Sequence, residues 1–161
     1  MELTTLFKMQ RELDTYIQKN QSITEDVFKE KGLALLVELA ELANETRCFK
    51  FWSSKGPSEK EVILEEYVDS IHFILSLGIE KELDSLKEWP VGEVMGDLTE
   101  VFLKTVTAIQ EFIAKSDMES YKNVWIHYAA IAKKIGISYI EIMQAYVEKN
   151  EENYKRQQTG Y

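Results

Sequence analysis

Apolar positions along the chain recur mostly with the period of a helix. Leu3, Leu6, Phe7, Met9, Leu13, Tyr16 and Ile17 share one side of a segment running to Lys19, which predicts a first helix over 3–19. Asn20-Gln21 interrupts it. Ser22 with Glu25 reads as a capping box that opens a long helical region toward Phe49, with Gly32 predicting either a kink or a division into two shorter helices. The segment KFWSSKGPS is a connector, because Gly56-Pro57 forbids smooth continuation. Helical periodicity resumes at Glu59 and is expected to stop near Gly78. Residues 79–96 mix turn residues with short apolar pieces and define no element. Asp97 with Glu100 then caps a helix, a further one runs from Met118 to Ile135 and ends near Gly136, and Ser138 with Glu141 caps the last. The expectation is an all-α fold, a bundle of five to six helices in one domain over 1–161, because short connectors favour antiparallel neighbours.

Composition agrees with a packed core. Hydrophobic residues make up 45% of the 161 residues, while seven Gly and two Pro supply too few turns for an all-β chain. Cys48 is alone, so no intrachain disulfide forms. The opening MELTTLFKMQRELD lacks the basic and apolar runs of a signal peptide, and no apolar stretch has spanning length, so a cytoplasmic protein with no membrane partner is expected. Lys and Arg number 19 against 28 Asp and Glu, a formal net charge of -9. That field repels a nucleic-acid polymer. A small phosphorylated ligand stays compatible with it if a bound cation reverses the local sign.

The candidate chemistry lies on two otherwise apolar segments. In LALLVELAELANE, Glu38 and Glu41 are three apart, and Glu45 lies seven beyond Glu38, so all three share a face. In VILEEYVDSIHFILSL, Glu66 and Asp69 are three apart and Glu65 and Asp69 four apart. One such pair alone would be an ordinary solvated face. Carboxylates stacked on buried helices repel each other and lose water, and a cation removes both penalties. Oxygen-only donors select magnesium or manganese over zinc. Lys149, Asn153 and Arg156 follow at spacings of four and three on the last helix, as phosphate contacts or as solubilising charge. Lys50 and Trp52 stand in the connector, where they would serve the mouth of a site, cover the core or meet another subunit. His72, three residues after Asp69, would touch a ligand or hydrogen-bond a carboxylate.

These features together resemble a known family. Glu38-Leu-Ala-Glu41 and Glu66-Tyr-Val-Asp69 match the Glu-x-x-Glu and Glu-x-x-Asp marks of MazG-type nucleotide pyrophosphohydrolases. ELANETRCFKFWS, EEYVDSIHFILSLG and YVEKNEENYKRQQTGY are similar to the dimeric, all-α dUTP pyrophosphatase branch of that group. The resemblance implies hydrolysis of dUTP, and often dUDP, to dUMP, with pyrophosphate released from dUTP by a magnesium-dependent homodimer. It implies metal ligation by Glu38, Glu41, Glu66 and Asp69, with Glu38 as the water-activating carboxylate. It places Gln10, Lys50 and Trp52 at uracil, His72 and Phe73 at the deoxyribose, and Lys149, Asn153, Arg156 and Tyr161 at the phosphates. Two other readings share the pattern: a pyrophosphohydrolase for dCTP or mixed nucleotides, and a non-catalytic helical module whose acidic face binds a basic partner.

Overall fold

A computed structural model describes residues 2–160. Six helices form its framework: α1 (Thr4–Asn20), α2 (Phe28–Thr46), α3 (Lys60–Glu80), α4 (Leu98–Lys115), α5 (Met118–Ile135) and α6 (Tyr139–Thr159). No strand occurs among the described residues; one isolated bridge joins Glu2 to Glu88. The helix most apolar around its circumference is the one at the centre. α3 packs against α2, α6 and α1, while α4 pairs mainly with α5 and touches α2. Tyr67 of α3 is fully buried and donates its hydroxyl to the Tyr128 carbonyl of α5 at 2.8 Å.

Two of the three expected capping boxes form. Asp97 and Glu100 close α4, and Ser138 and Glu141 close α6, each with both reciprocal hydrogen bonds. The box expected at Ser22 and Glu25 does not form, and α2 starts at Phe28. Ser22 is already engaged in ending α1. Its φ is 53°, its N–H donates to the Lys19 carbonyl, and the Ile23 N–H donates to that of Gln18. This is a left-handed helix stop with serine where glycine is usual. Asp26 instead accepts from the Phe28 N–H at 2.9 Å. α2 ends at Thr46, short of Phe49, because Arg47 turns left-handed at φ 57°.

Gly32 and Gly78 neither kink nor stop their helices. A Cβ on Gly32 would lie 2.9 Å from Ile113 Cδ1, so the glycine lets α4 come close to α2. A Cβ on Gly78 would lie 2.2 Å from the Tyr121 hydroxyl, which is held on the Ile74 carbonyl. α3 therefore runs two residues past Gly78 with α5 pressed against it. The indistinct stretch 79–96 packs by burying Leu83, Leu86 and Trp89, and the Trp89 indole N–H donates to the Trp125 carbonyl.

Gly78→Ala improves helix propensity by about 1 kcal/mol but forces a methyl group into a buried hydroxyl. Net destabilisation by about 1–3 kcal/mol is expected, read as a lower urea midpoint with an unchanged slope. An unchanged or raised midpoint would refute the close approach.

Candidate functional site

The two acidic helices bring their carboxylates together. α2 and α3 are packed side by side, and one oxygen each from Glu38, Glu66 and Asp69 lies within 4.8 Å of the other two. All three are partly buried. Burial pushes the Glu38 carboxyl up to about 7, and the charges of Asp69, Glu41 and Glu66 add to the rise. Burial likewise raises Glu66, helped by Glu41 and Asp69, and raises Asp69 against the opposing pull of Lys149. Glu41 is exposed but near enough for its charge to act on both Glu38 and Glu66. Such a cluster seeks positive charge, and its all-oxygen donor set fits a hard divalent cation.

Glu45, the third acid of the α2 stripe, does other work. It accepts from the Ser58 hydroxyl while its carbonyl accepts from the Ser58 N–H, tying the connector to α2 just before α3 begins.

Lys149 of α6 is the cation nearest at hand. It is only 7% exposed, and its ammonium donates to Glu65 at 2.8 Å and lies 2.9 Å from Asp69. Burial works to lower its proton affinity, but the bonds and charges of Glu65 and Asp69 prevail and raise it. The same hydrogen bond lowers Glu65. Two α6 turns further on, Arg156 donates to Glu152 at 2.6 Å.

Beside the carboxylates opens a pocket of about 360 Å³, a size suited to a small organic ligand. Glu38, Asp69, Lys149, Asn153 and Arg156 line its charged side. Gln10, Asp14, His72, Phe73 and Ser76 line the other. Gln10 Oε1 accepts from the Tyr146 hydroxyl at 2.8 Å and pairs with His72 Nδ1 at 2.7 Å, while its Nε2 donates to Asp14 at 2.8 Å. Ser76 donates to the other Asp14 oxygen at 2.6 Å. The His72 ring stacks on Tyr146 at 4.2 Å between centroids. Burial and the nearby Lys149 charge lower the imidazole to about 3, so His72 is neutral near pH 7. One side of the pocket thus holds the carboxylates with Lys149 and Arg156, and the other a hydrogen-bonded network built around the single carboxylate of Asp14.

A family model described as dUTPase matches residues 2–161. The chain belongs to the dUTPase family. Membership assigns it dUTP diphosphatase activity and a nucleotide substrate. A search of curated proteins finds no match.

Glu38, Asp69, Gln10, His72, Phe73, Lys149, Asn153 and Arg156 meet in one pocket, with Glu66 in the adjoining cluster. Lys50 and Trp52 are not among its lining residues. Lys50 bonds to Asn44, and Trp52 is 65% exposed, edge-on to Phe49 and Phe51. Tyr161 lies outside the described residues. Asp14, Ser76 and Tyr146 are additions that the sequence pattern does not single out, although Gln10 and Asp14, like His72 and Ser76, stand one helical turn apart.

The Glu38 shift has a definite sign in pH. A carboxyl raised from 4.5 to about 7 stabilises the fold fully below pH 4.5, and that contribution is lost as pH rises through 7. In EDTA, the protein is therefore expected to lose stability between pH 5 and 8 more steeply than Glu38→Gln does. Divalent cation should stabilise the wild type more at pH 8 than at pH 5. Parallel melting profiles for the two proteins in EDTA would contradict the assignment.

Proposed function

We propose that the chain is a magnesium-dependent enzyme that hydrolyses dUTP, and also dUDP, to dUMP, releasing pyrophosphate from dUTP. The observation that supports it most is the convergence of Glu38, Glu66 and Asp69 beside a pocket lined by Lys149, Asn153 and Arg156 on α6 and by Gln10 and His72 on α1 and α3. Glu38, Glu66 and Asp69, with Glu41 alongside, would hold magnesium or manganese, which when bound supplies charge neutralisation at the phosphates and makes water more acidic. Glu38 accepts the proton of the attacking water; it is the carboxylate that burial and its neighbours hold most strongly toward protonation. Arg156, Asn153 and Lys149 receive the phosphates at the charged end of the pocket, Lys149 turning from Glu65 and Asp69 toward the phosphate oxygens. Tyr161 is assigned to the same phosphates by the resemblance alone. Gln10 meets the base, and Phe73 and His72 border the deoxyribose.

We further read the chain as one domain, wider kin of the MazG-type pyrophosphohydrolases, acting as a cytoplasmic homodimer. No helix of the described residues is long and apolar enough to cross a membrane. Leu33 and Val37 on α2 and Leu103 on the adjacent α4 leave apolar surface exposed, which favours pairing with a second copy. Lys50 and Trp52 reach the base only if their loop moves or a second copy supplies it.

Product analysis in 18O-labelled water with dUTP and magnesium tests the reading, expecting dUMP and pyrophosphate with the label in one of them. Glu38→Gln should keep its helical spectrum and lose on the order of a hundredfold or more in turnover. Near-normal turnover would remove Glu38 from the chemistry. In a panel of dUTP, dCTP, dTTP and UTP, dUTP is expected to lead; preference for dCTP would reassign the base. Trp52→Ala should raise KM several-fold, on the order of 1 kcal/mol of lost stacking, without lowering the melting temperature. An unchanged KM would make Trp52 a surface residue.

A further inference from the structure

Lys149 stands in the partition between two depressions. On one side is the pocket that holds Glu38, Asp69, Asn153 and Arg156. On the other is a separate groove of about 300 Å³ between α3 and α6, walled by Glu61, Glu65, Glu148 and Glu152. Among the described residues, Lys149 alone lines both. Its buried ammonium has a carboxylate on each side: Asp69 of the pocket at 2.9 Å and Glu65 of the groove at 2.8 Å. Glu152 of the groove stands 3.8 Å away.

Asp69 has a second claimant. One of its oxygens lies within 4.8 Å of an oxygen of Glu38 and one of Glu66, and a cation held by that trio takes Asp69 as a ligand. An ammonium in contact with the same carboxylate repels the incoming ion, with little water between them to screen the two positive charges. The ammonium must yield. Its shortest move is to release Asp69 and keep the bond to Glu65, with Glu152 taking up the donor set free. Glu65 belongs neither to the trio nor to the pocket lining, so an ammonium resting on it leaves the trio open. The Glu65 side chain is half-exposed and can follow the lysine outward.

We propose that Glu65 is a positioning residue that draws the Lys149 ammonium toward the groove, opening Asp69 to a divalent cation while the lysine stays beside the pocket for the phosphates. Without Glu65, Asp69 becomes the main partner of Lys149, and the lysine competes with the cation. The inference rests on the metal-dependent reading of the carboxylate cluster, and it is testable without turnover.

Binding of Mn2+ to the nucleotide-free protein, followed at pH 8 through the spin-resonance signal of the free ion, reads the competition. Glu65→Gln, a half-exposed position outside the core, should weaken Mn2+ binding about tenfold, mid-range for coupling between side chains in contact. Lys149→Met, which keeps an apolar stem in the buried site, should tighten binding by a similar factor. The double variant decides. With the lysine gone, Glu65 has nothing to draw aside, so Glu65→Gln/Lys149→Met should match Lys149→Met within about twofold. If Glu65 acts on the cation only through its own charge, Glu65→Gln weakens binding equally in both backgrounds, and the proposal is overturned. Unchanged Mn2+ affinity in Glu65→Gln overturns it as well. Should Lys149→Met lose its helical spectrum, Lys149→Gln takes its place in the same cycle. A wild type that binds no Mn2+ defeats the metal reading and this inference with it, whereas Mn2+ binding without the stated pattern overturns this inference alone. The stated pattern in a protein that leaves dUTP intact would defeat the functional reading and leave this one standing.

Discussion

Mutual repulsion among carboxylates that cannot move apart is the constraint around which this molecule is arranged. Packing of α2 against α3 holds Glu38 beside Glu66 and Asp69, and the apolar faces joining those helices form much of the core. Without a counter-charge, the strain appears as proton uptake at Glu38 and as the capture of Lys149 by Asp69 and Glu65. Both are answers to the same electrostatic demand. A divalent cation satisfies it more fully than either, because it can meet several oxygens at once.

How readily each feature could be read from the sequence depended on whether its causes were local. The capping boxes at Asp97 and Ser138 need residues three apart and nothing else, and both formed. Ser22 and Glu25 have the same spacing, but Ser22 serves the end of α1, a competing local use that spacing does not reveal. Gly78 has the composition of a helix stop, and its reason for being glycine is a tyrosine more than forty positions away. The acidic stripes were legible because charge on an apolar helix conflicts with burial. Asp14 and Tyr146 were not, because neither residue conflicts with its own helix. Their significance arises where α1, α3 and α6 meet around Gln10.

The two ends of the pocket rest on different physics. At the charged end, the exposed or half-exposed side chains of Glu65, Glu152 and Arg156 can exchange partners at small cost around the buried Lys149, with which Glu65 and Glu152 share bonds. At the other end, Gln10, His72 and Tyr146 are buried, and every turn of an amide or a ring would strand a polar atom. Adaptable grip at one end and fixed orientation at the other suit a flexible phosphate chain and a rigid base, respectively.

α6 carries Tyr146, Lys149, Asn153 and Arg156 along one uninterrupted rod with no glycine or proline between Tyr139 and Thr159. At about 1.5 Å per residue, the first and last of these side chains are set about 15 Å apart. The helix thus works as a gauge bar: the spacing between its tyrosine and its arginine is set by backbone geometry, and a kink introduced anywhere between them would misalign both ends of a bound molecule together.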